Sequence, residues 1–163
     1  MKSRIGQLFG ALLVALLVFP SLGAAQTRPI NVALVNPIQI FPESNSIEGL
    51  RINLIYGKNA GVVGLDWGLI NSVGSGGVTG LQWGFVNIND GDFVGLQGAL
   101  VNLTDKNVEG VQWGWYNQAG HVSGLQIGLV NNTGSMKGLQ IGLINIIKSG
   151  GFMPIFPIIN FSF

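Results

Sequence analysis

Between Pro29 and Asn160 the chain keeps returning to one eight-letter word. Its second, fourth and sixth letters are large and apolar. Its first and fifth are small, its third is polar, and its last is Asn. "GLQIGLVN" (Gly124–Asn131) and "GLQIGLIN" (Gly138–Asn145) are the plainest copies. With two degenerate copies at the ends, "PINVALVN" and "MPIFPIIN", nine words lie at 29–36, 49–56, 64–71, 80–87, 95–102, 110–117, 124–131, 138–145 and 153–160. The opening glycine recurs at steps of 15, 16, 15, 15, 14 and 14 residues, and the closing Asn is present in eight of the nine, with Tyr56 the exception. A fixed short period marks a repeat architecture. Alternation at period two predicts that each word is a strand with two unlike faces.

One face is bulky and apolar. It carries Leu65, Trp67 and Leu69 in one word and Leu81, Trp83 and Phe85 in the next. Further along it carries Leu125, Ile127 and Leu129, then Leu139, Ile141 and Leu143. The other face is small, extended by an apolar residue two before each glycine (Ile47, Val62, Val78, Phe93, Val108, Val122, Met136). Between words lie stretches such as "SVGSGG", "INDGD" and "LTDKN", rich in residues that supply turns.

All-β is therefore the expected class: an antiparallel meander of about 8–10 short strands, closed into a small transmembrane β-barrel. A β-solenoid is the alternative. Geometry weighs against it if each word is straight, because an eight-residue strand covers about 26 Å. The six to eight residues left in each period would have to return over that distance nearly extended. A barrel also removes exposed sheet edges.

The third letter decides which face turns inward. It reads Arg51, Asp66, Gln82, Gln97, Gln112, Gln126 and Gln140 through the seven glycine-initiated words. A solvent-facing row would tolerate any polar residue. A nearly uniform Gln row implies a confined place where each amide bonds its neighbour. Arg51 and Asp66, the only charges inside the words, are expected to form an interior ion pair. With Gln inward, the bulky face turns outward, the pattern of a lipid-embedded barrel. Three features oppose that reading. The apolar face is three side chains tall, the tryptophans sit mid-strand rather than in interfacial girdles, and nine is an odd strand count. "PIQIF" (Pro37–Phe41) would supply a tenth strand, or eight could close with the first word outside. A soluble barrel or sandwich with the bulky face inside would instead expose Val and Ile on every strand, a patch that itself points to a partner.

Composition sharpens the setting. Residues 1–25 have a basic start, an apolar run and a small-residue end, the layout of a secretory signal peptide cut before Gln26, leaving a single domain from 26 to 163. Without Lys2 and Arg4, six basic residues face seven acidic, a net charge of −1, and no basic patch suggests nucleic acid. Charged residues make up 9% of the chain against about 25% in ordinary soluble domains. The absence of cysteine excludes disulfides and a lipid-modified cysteine.

Candidate chemistry is sparse. His121 stands alone in a turn, with no Cys or carboxylate cluster to make it a base. "NINDGD" (Asn87–Asp92) resembles a calcium loop in its alternating oxygens but lacks the later Glu, so a plain turn is favoured. The glycines cradle no phosphate, since no helix follows them. No enzyme, metal or cofactor is expected.

The words resemble a family of bacterial exported surface-repeat proteins built from GLQxGLxN units, over Pro29 to Asn160. That resemblance implies export and a surface location but no activity. Gln-x-Gly-x-x-Asn, as in Gln82, Gly84 and Asn87, is also similar to the core of curli-type repeats. The alternating end, with Phe161 and Phe163, resembles the C-terminal assembly signal of outer-membrane barrels, although Pro157 departs from it. Two functions follow. One is a small non-enzymatic outer-membrane protein of a Gram-negative bacterium, structural or a narrow pore or receptor, with membrane lipid and the barrel-assembly machinery as partners. The other is a secreted surface protein that self-assembles or serves as an adhesin or fibre subunit.

Overall fold

A computed structural model describes residues 26–163. The expected leader, residues 1–25, lies outside them. Strands dominate: β1 (Thr27–Val35), β2 (Ile38–Gln39), β3 (Ser46–Trp83), β4 (Val86–Asn89), β5 (Phe93–Gly98), β6 (Val101–Trp113), β7 (Tyr116–Ile127), β8 (Val130–Ser149) and β9 (Ile155–Ser162).

Successive words pair in parallel and almost in perfect register. Gly80 lies beside Gly95 and Gln82 beside Gln97. Gly110 then lies beside Gly124 and Gln112 beside Gln126. The closing asparagines stack in the same way, Asn87 on Asn102 and Asn117 on Asn131. This is a β-solenoid of about eight turns. The closed barrel and its antiparallel meander are thus overturned, and the alternative architecture stands. Antiparallel pairing occurs where β2 folds back on β1 and where β9 folds back on β8. The "PIQIF" segment is no barrel strand. Its Ile38 and Gln39 form the N-terminal cap, β2.

The barrel expectation failed on one assumption, that the word is straight. It bends at its fifth and sixth letters. Strands stop at Trp83, Gly98, Trp113 and Ile127 and resume after a gap of two residues. Each turn of the coil therefore has a longer arm, as in Phe93–Gly98, a corner at Ala99–Leu100, and a shorter arm, Val101–Thr104. The residues that looked too few for a return path are enough, because half of the word is already returning.

Inside the coil the cross-section is half apolar. The residues two before each glycine, Ile47, Val62, Val78, Phe93, Val108, Val122 and Met136, stack into a buried column, joined from the shorter arm by Val73, Ala119 and Ile147. The opening glycine of each word approaches the glycine of the preceding turn. At Gly124, φ is +139° and an added Cβ would lie 2.0 Å from the carbonyl oxygen of Gly110. Both the dihedral and the contact demand glycine there, which explains why seven of the nine words open with it.

Candidate functional site

Two interior ladders and one exterior corner hold what this molecule can offer chemically. The third letters are all buried: Arg51, Asp66, Gln82, Gln97, Gln112, Gln126 and Gln140 are each 0% exposed. They line no lumen. They bond along the coil axis. Gln140 Nε2 donates to Gln126 Oε1, Gln126 to Gln112, Gln112 to Gln97, and Gln97 to Gln82, at 2.7–2.9 Å. Gln82 Nε2 donates in turn to Asp66 Oδ2 at 2.8 Å. Every amide in this string points its N–H toward the N-terminal end, so the positive end of five aligned dipoles meets one carboxylate. Arg51 meets it from the other side, Nε to Oδ1 at 2.7 Å and Nη2 to Oδ2 at 2.6 Å. Nη1 of Arg51 donates to the Ser72 carbonyl at 2.8 Å. The pair is parallel-stacked rather than cross-strand, but it is bidentate and its side chains are fully buried.

The closing asparagines make a second ladder of opposite sense. Asn71 Nδ2 donates to Asn87 Oδ1, Asn87 to Asn102, Asn102 to Asn117, Asn117 to Asn131 and Asn131 to Asn145, at 2.8–2.9 Å. The second N–H of each of these amides reaches a carbonyl at the bend of the next turn: Trp83, Gly98, Trp113, Ile127 or Ile141. Sequence reasoning recorded the Asn and gave it no role. Its role is to bond the corner from within. The exception, Tyr56, is bridged by Asn53, whose Nδ2 donates to Asn71 Oδ1 at 2.7 Å.

Outside that corner lies the candidate contact site. Leu65, Trp67, Leu69, Leu81, Trp83, Phe85, Leu129, Ile141 and Leu143 are exposed, and Leu125, Ile127 and Leu139 are partly exposed. Fourth and sixth letters form the two walls of a groove along the coil, with the fifth letter as its floor. Gly84, Gly114, Gly128 and Gly142 are floor residues, Ala99 the one larger exception. The floor is shallow because the ladder lies directly beneath: a Cβ at Gly128 would sit 2.2 Å from the Gly114 carbonyl oxygen and 2.7 Å from Asn117 Nδ2. Trp83 leans over Gly98, which lacks the side chain to oppose it, and meets Trp113 with ring centroids 5.4 Å apart. The groove has a volume of about 650 Å³ from Trp83 to Ile158, and a neighbouring hollow of about 360 Å³ continues it to Ile52. Trp115, at 64% exposed its most prominent ring, was missed as a candidate, as was Leu100. Both occupy the sixth letter, so the pattern that found Phe85 and Leu129 would have found them.

At the N-terminal end Glu43 and Lys58 form a half-exposed pair, and the later exposed charges lie away from the corner. Asp90, Asp92, Asp105, Lys106, Glu109, Lys137 and Lys148 are exposed on or beside the turns that lead from each shorter arm to the next longer one. His121 lies on the same edge, its Nδ1 2.8 Å from Ser135 Oγ. Three side-chain oxygens of the "NINDGD" stretch are engaged: Asn87 Oδ1 accepts from Asn71, Asn89 Oδ1 from Gln82 and Asp92 Oδ1 from Asn107. Phe161 stacks on Phe152, and Phe163 projects at 92% exposure. Searched against family models, curated proteins and solved structures, the chain matches none.

Proposed function

We propose that this chain is an exported, non-enzymatic β-repeat protein of the bacterial surface, which works by contact through its apolar corner. One observation carries the reading: two adjoining apolar hollows that share Trp83, Gly84 and Phe85 follow the coil from Ile52 to Ile158, while the exposed charges from Asp90 to Lys148 lie on or beside the turns between words. Monomeric soluble proteins rarely leave so large an apolar surface uncovered, and such patches mark contact sites. A polar cleft with titratable groups, the usual ground for assigning catalysis, is not part of the corner. End-to-end fibre growth is disfavoured. The first word pairs with the short antiparallel β2, the last parallel word (138–145) is covered by antiparallel β9, and Pro157 sits in β9, where a missing N–H weakens further pairing.

Fractionation of cells producing the chain tests this. The native protein should sediment with the envelope and leave it with detergent but not with high salt. Phe85→Lys combined with Leu129→Lys should move the protein to the soluble fraction with its strand signal in circular dichroism unchanged. A parent protein that is soluble and monodisperse without detergent would overturn the proposal.

A further inference from the structure

We infer that the occupant of the apolar corner is a lipid surface, with the coil lying along the membrane plane, groove downward and charged turns in water. This inference rests on the contact function proposed above and names its partner.

The argument comes from the backbone of the corner rather than from its side chains. Hydrocarbon accepts apolar side chains readily but punishes an unpaired N–H or C=O, which is why exposed irregular backbone is excluded from it. A bend in a chain is ordinarily such a defect. Here it is repaired. Gly84 N donates to the Gly98 carbonyl, Ala99 N to Trp113, Gly114 N to Ile127 and Gly128 N to Ile141. The sixth- and seventh-letter nitrogens follow suit: Phe85 N donates to Leu69, Trp115 N to Leu100 and Ile144 N to Leu129. From beneath, the asparagine amides add a second bond to the same fourth-letter carbonyls. A groove built for a peptide would keep free donors or acceptors for its ligand's backbone. This one spends most of them on itself: the fifth-letter nitrogens and the fourth- and sixth-letter carbonyls are bonded within the coil, turn after turn.

Side chains and dimensions agree. All four tryptophans, Trp67, Trp83, Trp113 and Trp115, stand on this corner, and the indole ring is the side chain most at home at the membrane boundary. A six-residue arm spans about 20 Å. An amphipathic element lying in the interface sinks about 5–10 Å, so the charged turns at the far end of the arm stay in water. Eight turns at the usual strand spacing give a strip about 40 Å long, too narrow to demand spanning and long enough to anchor.

The test uses tryptophan fluorescence, because residues 1–25 contain no Trp and every signal comes from the solenoid. The chain as isolated from cells, freed of detergent, is mixed with phosphatidylcholine–phosphatidylglycerol vesicles carrying bromine at shallow or deep acyl positions. Emission should shift to the blue. Shallow bromines should quench at least twofold more strongly than deep ones. Trp115→Lys with Leu129→Lys should lower vesicle partitioning at least tenfold, whereas Lys106→Ser on the charged edge should change it less than twofold. Absence of quenching from either depth overturns the lipid inference. If the parent then sediments as a dimer that the corner variants dissociate, the contact function survives with a second copy as occupant. If it sediments as a monomer, the contact function falls too.

Discussion

At the scale of single residues, the most consequential are the two buried charges. Asp66 accepts four hydrogen bonds, two from Arg51, one from Asn53 and one from Gln82. Removing one member of such a pair strands the other, at a cost of about 3–5 kcal/mol. Arg51→Gln and Asp66→Gln should each lower the urea midpoint accordingly. The double variant should regain most of the loss, because Gln at both positions extends the string that already runs from Gln140 to Gln82. Equal stability of all three variants and the parent would contradict this. A second residue-scale expectation concerns the glycine column. At Gly124 a methyl group must enter at positive φ and against a carbonyl oxygen that belongs to the backbone and cannot swing aside. Strain alone costs on the order of 1–3 kcal/mol, and Gly124→Ala should exceed that in thermal unfolding. Gly150, also at positive φ but with only Ser162 Oγ, 4.0 Å away, near its Cβ position, should tolerate Ala with a smaller loss.

At the scale of the element, the word is a bent strand whose two ladders run in opposite senses. The glutamine amides point toward the N-terminal end and the asparagine amides toward the C-terminal end, so their dipoles oppose one another across the coil. Cutting the asparagine string should be costly at a single point. In Asn117→Leu, the Ile127 carbonyl loses its side-chain donor, Asn131 Oδ1 loses its only bond from the ladder, and Asn102 Nδ2 loses an acceptor. Each orphaned buried group costs about 1–3 kcal/mol. Equilibrium unfolding in urea should therefore show a loss larger than that of Asn132→Leu, fifteen residues on and only partly buried. Much of this element was legible in the sequence. Period-two alternation gave the strands, and the uniform third letter gave the buried polar row and the Arg51–Asp66 contact. What stayed hidden was the bend. Gly at the fifth letter fits a strand as well as a corner, and alternation by itself does not register a change of direction. The repeated Gln was read for confinement but not for parallel register, although identical amides bond best when the same letter lies directly above itself. Asn53 was equally hidden, since its ladder role depends on a shift from the eighth letter to the fifth that no pattern announces.

At the scale of the whole molecule, a parallel stack raises a problem that a barrel does not have: two open ends. Every internal word is both template and guest for its neighbours, and a copy of the chain could in principle continue the stack, as identical segments do in amyloid. The two end words differ from the rest in the way this hazard demands. β9 runs antiparallel to β8 from Gly138 to Ile146. Because it runs in reverse, it sets Asn160 rather than a third letter beside Gln140, so the glutamine string stops there and Gln140 Oε1 finds no donor. Asn160 turns its amide to the Asn145 and Met153 carbonyls instead of offering it onward. β9 is therefore a plug more than a ninth turn. A chain ending after Gly151 should expose the β8 edge with its Gln140 and Asn145 amides in register for a further turn. In a non-ionic detergent, which covers the apolar corner and removes that route to association, the truncated chain should grow into assemblies that bind thioflavin T and sediment with increasing size over hours. The parent should keep one sedimentation coefficient throughout. Restoring the plug as a separate peptide of residues 152–163 should slow the growth. A truncated chain that stays monomeric with its strand signal intact would mean that the N-terminal hairpin of β1 and β2 protects the stack unaided, and that β9 serves the groove through Ile158 rather than the end of the coil.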